Sequence, residues 1–157
     1  MKILVTGASG QLGYDVVKSG EALHFDMFGT SSKQLDITDE VQVKQYVEQL
    51  NPDVIIHCAA YTAVDHAEED KENCYSVNVN GTTFLAEAAK NVGAKFIYIS
   101  TDYVFDGEGS EPFTETDATK PIGYYGLTKL QGEQAVQRIL SDYFIVRISW
   151  VFGINGN

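Results

Sequence analysis

A chain of 157 residues that is 44% hydrophobic and 21% charged suits one domain with a substantial core. Its 22 acidic against 11 basic residues give a formal net charge of −11, which speaks against a general nucleic-acid-binding role, because that role needs a basic footprint. No apolar run approaches ~18 residues, so no membrane span is expected, and two cysteines without a C-x-x-C argue against a disulfide framework.

The first stretch, MKILVTGASGQLG, carries the strongest local signal. Ile3-Leu4-Val5 reads as a short buried strand, the glycine-bearing turn follows, and a helix runs over Tyr14 to Ser19. Strand, glycine-rich turn and helix in that order open a dinucleotide-binding unit. Gly7 permits the tight turn, Gly10 lets the backbone approach a pyrophosphate, and Gly13 lets the helix lie close on the sheet. The helix N-terminus then faces the phosphates. The alternative is a glycine-rich turn that binds nothing.

His24 to Gly29 is the second strand, followed by Thr30-Ser31-Ser32-Lys33. NAD-preferring sites place an acidic residue near the end of this strand. Here hydroxyls and Lys33 stand instead, so Ser31, Ser32 and Lys33 favour NADP(H), with NAD(H) possible and a polar surface turn as the alternative. Asp39 caps the next helix, with Gln42 in the capping-box position, and Asn51-Pro52 ends it. Asp53 to His57 is a β-branched third strand suited to a sheet covered on both faces. Cys58, in an apolar stretch, reads as a buried small hydrophobe. The small residues from Cys58 to Asp65 would let a ligand lie against the backbone. The charged run His66 to Glu72 reads as a solvated helical face, and the three histidines show no metal-ligand spacing, so no metal is expected.

Asn73 to Asn91 reads as one strong helix with Gly93 as its C-cap glycine. Lys95 to Ile99 is the fourth strand, and Ser100 to Gly123 is too long for a simple connector, which argues for a functional loop. Tyr124 to Leu140 is a helix, Tyr143 to Ser149 a strand, and Trp150 to Asn157 closes the sequence. Alternating strands and helices imply an α/β, Rossmann-type doubly wound parallel sheet. In such sheets four loops, 7–13, 58–65, 100–105 and 150–153, converge on one crevice beyond the strand ends.

Tyr125 and Lys129, at i and i+4, share a helix face. An ammonium near the phenol would lower its pKa and make Tyr125 a usable acid. Thr101, just past the fourth strand, can hydrogen-bond a carbonyl oxygen and steady a developing alkoxide.

TGASGQLG, the alanines at 59–60, NVNGT at 78–82, Thr101 and Tyr125-x-x-x-Lys129 together resemble the extended short-chain dehydrogenase/reductases. LDITD, CAAYTAVDHAE, YISTDYVFDG, the YGLTK helix and VRISWVFG resemble, more narrowly, the dTDP-4-dehydrorhamnose reductase family, over essentially the whole chain. The resemblance implies NAD(P)H-dependent reduction of a 4-keto nucleotide sugar, dTDP-4-dehydro-L-rhamnose to dTDP-L-rhamnose, in dTDP-rhamnose biosynthesis. It implies Thr101, Tyr125 and Lys129 as catalytic residues, with Tyr125 the proton donor and Lys129 also holding the nicotinamide ribose. Gly7, Gly10, Gln11 and Leu12 match the pyrophosphate turn, Asp36 and Ile37 the adenine side, and Ala59, Ala60 and Tyr61 the ribose-side loop. Asp102, Tyr103 and Trp150 match positions facing the sugar, and Asn78 matches a structural asparagine.

Family members continue into a smaller substrate domain, so residues 1–157 are expected to be an NAD(P)-binding domain carrying the catalytic trio, the N-terminal portion of such an enzyme. Cofactor affinity is therefore expected more firmly than turnover. Dehydratases of the superfamily pair Asp with Glu after the threonine; Asp102-Tyr103 lacks that base. A non-catalytic NADP-binding regulatory subunit and a reductase or epimerase of another nucleotide sugar remain rival readings. The expected partner is a small nucleotide sugar, with a homodimer left open, and the expected compartment is the cytoplasm, since Met1 leads directly into a strand with no signal peptide.

Overall fold

Five parallel strands form one sheet in the order β2-β1-β3-β4-β5 in a computed structural model that describes residues 1–108 and 111–153. The strands are β1 (Lys2–Thr6), β2 (Asp26–Thr30), β3 (Val54–His57), β4 (Lys95–Thr101) and β5 (Tyr143–Ile148). The helices are α1 (Gln11–Ala22), α2 (Glu40–Leu50), α3 (Lys71–Tyr75), α4 (Thr82–Val92) and α5 (Tyr124–Ile139). Among the described residues no helix is long and apolar enough to cross a membrane. The end of the expected closing segment, 154–157, lies outside the described residues, as do residues 109 and 110 of the expected long loop.

Successive strand residues point to opposite faces, which divides the sheet's side chains in two. Leu4, Ile55, Phe96 and Tyr98, each fully buried, pack with Val43 and Val47 of α2, Leu85 of α4 and Val136 of α5. Ile3, Val5 and Val54 pack on the other face with Val16 and Val17 of α1. The second face is covered less completely than the β-branched run of β3 suggests: Phe144 and Val146 of β5 are exposed.

Two local expectations are corrected. The helix expected over 73–91 is interrupted, because Ser76–Gly81 is π-helical between α3 and α4. Asp39 does cap α2 by accepting from Gln42 N–H at 3.0 Å, but the Gln42 side chain accepts from Asp36 N–H instead of returning to Asp39, so no reciprocal capping box forms. Gly93 closes α4 in the left-handed conformation, at φ +70°. Within the charged run, His66 and Glu68 are solvated, and Glu68 Oε1 accepts from Tyr124 N–H at 2.6 Å, fixing where α5 begins.

Candidate active site

The strand order reverses direction between β1 and β3, and loops at such a switch point diverge to leave a crevice at the strands' carboxyl ends. A cleft of about 980 Å³ lies there. Its floor is the turn after β1. Gly7 has φ +72°, and a Cβ at that position would come within 2.7 Å of the Ala59 backbone, so only glycine lets the first and third loops touch. A Cβ on Gly13 would strike the Gly7 carbonyl, so this glycine seats α1 against the turn itself and not against the sheet. A Cβ on Gly10 would meet only the Gly7 carbonyl oxygen, at 3.3 Å, and Gly10 lines the cleft. The first backbone bond of α1 runs from Tyr14 N–H to Gly10 C=O, so the N–H groups of Gln11, Leu12 and Gly13 have no helical acceptor.

Gly7, Gly10, Gln11, Leu12, Ser32, Asp36 and Ile37 line this cleft, as do Ala59, Ala60, Tyr61, Thr101, Asp102, Tyr103, Tyr125, Lys129 and Trp150. Ser31 and Lys33 do not. The Ser31 hydroxyl donates to Gln34 Oε1 at 2.9 Å in a turn closed by Gln34 and Leu35 N–H groups on Ser31 C=O, and Lys33 is left exposed. Cys58, expected to be buried, is only half-buried and lines the cleft, whereas Cys74 is fully buried.

Thr101 ends β4 with 6% exposure, accepts from Tyr103 N–H at 3.2 Å and donates to Asp102 Oδ1 at 3.1 Å. The Tyr103 ring meets the Tyr125 ring edge-on at 5.7 Å. Tyr125 is buried, and that burial raises its phenol above the ordinary value, with the Thr101 hydroxyl pulling the other way. The expectation that Lys129 lowers Tyr125 is therefore not met in this arrangement. Lys129 Nζ, 2% exposed as a residue, donates to Ile99 C=O at 2.8 Å and stands 4.2 Å from the centre of the Tyr98 ring. Burial pushes its ammonium down to about 7, with Glu133 opposing.

Asn78 lies in the π-helical segment. Its Oδ1 accepts from Tyr61 N–H at 2.9 Å and its Nδ2 donates to Tyr61 C=O at 3.3 Å and Thr128 Oγ1 at 3.1 Å. One amide thus holds the third loop to α5, and π-helical turns frequently occur where such positioning is needed.

A relay missed in the sequence lies beneath. Ala59 N–H donates to Thr6 Oγ1 at 3.4 Å, and the Thr6 hydroxyl meets His57 Nδ1 at 2.8 Å. His57 Nε2 meets Thr82 Oγ1 at 3.1 Å, and that hydroxyl donates to Asn78 C=O at 2.8 Å. Since Thr82 spends its proton on Asn78, His57 carries hydrogen on Nε2 and accepts at Nδ1. The only sequence signal was a histidine ending an apolar strand, level with Thr6 at the end of β1.

A family model described as "RmlD substrate binding domain" matches residues 1–157. The dTDP-4-dehydrorhamnose reductase of Burkholderia thailandensis is 43% identical over 156 residues, 99% of this chain and 52% of its own length. A solved dTDP-4-dehydrorhamnose reductase from Clostridium acetobutylicum superposes with a TM-score of 0.97 at 45% identity, over 100% of this chain and 56% of that one. One from Bacillus anthracis, in complex with NADP, gives a TM-score of 0.97 at 44% identity over 99% of this chain and 56% of that one. The chain spans about half the length of the relatives it matches.

Proposed function

The chain belongs to the RmlD substrate binding domain family, and from that premise we propose that it forms the cofactor-holding, proton-donating part of an NADPH-dependent reductase of a 4-keto nucleotide sugar, dTDP-4-dehydro-L-rhamnose. The observation that carries this reading is that Thr101, Tyr125 and Lys129 line the same cleft as the Gly7–Leu12 turn. The cleft suits a dinucleotide: Gly10 leaves room where a side chain would stand, and the N–H groups of Gln11 to Gly13 are free for phosphate oxygens. Asp36 and Ile37 would flank the adenine, and Ala59, Ala60 and Tyr61 the ribose.

A bound dihydronicotinamide would supply hydride. Tyr125 then gives its proton to the oxygen of the reduced carbonyl; burial raises its phenol, so the proton stays on Tyr125 until charge grows on that oxygen. The Thr101 hydroxyl holds that oxygen while charge grows on it. Lys129, cationic below about pH 7, brings a buried positive charge to the same cleft. Asp102, Tyr103 and Trp150 would meet the sugar. Tyr103 stands where a dehydratase would need a carboxylate base, which favours reduction. NADPH is favoured over NADH by the absence of a carboxylate at the end of β2 and by Ser32 at the cleft, without help from Ser31 or Lys33 in this arrangement.

Calorimetric titration of the chain with NADPH and with NADH tests the reading. Binding of both, tighter for NADPH, is expected; no heat with either overturns it.

A further inference from the structure

One buried charge cluster is untouched by the roles above. Glu133, 1% exposed, lies one turn beyond Lys129 on α5. Arg147 of β5 grips it with two bonds, Nε to Oε1 at 2.9 Å and Nη2 to Oε2 at 2.8 Å. Ser100 of β4 donates to the same carboxylate at 2.6 Å. Ser100 sits between Ile99, whose carbonyl receives Lys129 Nζ, and Thr101. The carboxylate therefore fastens three successive elements exactly where two working groups meet β4.

We propose that Glu133 is a positioning residue for the Thr101, Tyr125 and Lys129 group: held by Arg147, it ties Ser100 to α5 and keeps the Lys129 ammonium seated on the Ile99 carbonyl. This rests on the reading that Lys129 and Thr101 are working groups. The groups facing Lys129 are Tyr98 on β4, His57 and Cys58 at the end of β3, Cys74 on α3 and Glu133 on its own helix. Burial keeps the first four neutral near pH 7: His57 is pushed down, and the Tyr98 phenol and both thiols are pushed up. That leaves Glu133 as the carboxylate that offsets a buried ammonium. A bidentate guanidinium grip suits the task, because it fixes the carboxylate's direction as well as its charge.

The test is the titration of Lys129 Nζ, followed by NMR of lysine-labelled chain without cofactor or substrate, so its outcome is independent of whether NADPH binds. Glu133→Gln keeps the shape and an acceptor for Ser100 but removes the charge. Its Lys129 midpoint is expected to fall by about one pH unit from about 7, so that the ammonium share at pH 7 drops roughly fivefold, from about half to about one tenth. Glu133→Asp is expected to retain most of the native midpoint. A folded Glu133→Gln chain with an unmoved midpoint overturns the proposal, because loss of packing alone would lower the melting temperature and leave the titration in place. If Glu133→Gln does not fold, the double variant Glu133→Met, Arg147→Met removes the buried pair together; because the two charges act on Lys129 in opposite senses, it is compared with Arg147→Met alone, and equal Lys129 midpoints in the two overturn the proposal.

Discussion

Acid should unfold this chain through His57 before it reaches most carboxylates. The imidazole is 1% exposed and fixed between two threonine hydroxyls, and burial pushes its pKa down to about 3 from 6.5. The unfolded chain therefore binds a proton near pH 6.5 that the folded chain refuses until about pH 3. Stability from this group is complete above pH 6.5 and falls steadily as pH drops through that window. At 1.36 kcal/mol per pH unit, the loss between pH 7 and pH 5 is about 2 kcal/mol. Protonation would also put a second donor at Nδ1, against a hydroxyl that already donates there. His57→Gln is the matched control, since its amide offers one acceptor and one donor and does not titrate. Urea unfolding of both proteins at pH 7 and pH 5 isolates the effect, because distant carboxylates cancel in the difference. The stability advantage of the native chain over His57→Gln should shrink by about 2 kcal/mol on going to pH 5. A difference constant with pH, or an NMR titration of the His57 ring above pH 5, would refute the reasoning.

Three substitutions probe the cleft more directly. Gly7→Ala forces a side chain into a positive-φ position with Cβ 2.7 Å from the Ala59 backbone; a loss of about 2–4 kcal/mol is expected by thermal denaturation, and a change below 1 kcal/mol would contradict the packing. Asn78→Ala strips Tyr61 N–H of its acceptor and should cost about 1–3 kcal/mol, with faster hydrogen exchange at the Tyr61 amide; unchanged protection there would count against the clamp. Tyr125→Phe in a protein that turns over should lower kcat by roughly 10²–10⁴ while leaving NADPH affinity within about threefold, and comparable activity would remove Tyr125 as proton donor.

Much of the architecture was legible because it rests on short-range rules. The Gly7–Gly13 turn, the alternation of strands and helices, and the i, i+4 spacing of Tyr125 and Lys129 each follow from local geometry, and each is found where expected. The failures share a different cause. Residues 73–91 keep an apolar face whether the backbone bonds run four or five residues back, so periodicity could not reveal the π-helical turn that carries Asn78. Ser31 and Lys33 had the right chemistry for a phosphate, but the bonds of Ser31 to Gln34 and Leu35 turn its hydroxyl inward, and of the three residues 31–33 Ser32 alone lines the cleft.

Lys129 marks the boundary most sharply. Helical spacing correctly set it on the face of Tyr125, and from that followed the expectation of a lowered phenol pKa. Spacing along one helix carries no information about the strand beneath it, and there the Ile99 carbonyl takes the ammonium while β4 and α5 bury both side chains. Burial disfavours the charged form of each, so it lowers the ammonium and raises the phenol. Whatever brings the pair into play must thus offset the desolvation of Lys129, and the phosphates and ribose hydroxyls of a dinucleotide have the charge and the acceptors to do so while the ammonium keeps its bond to Ile99.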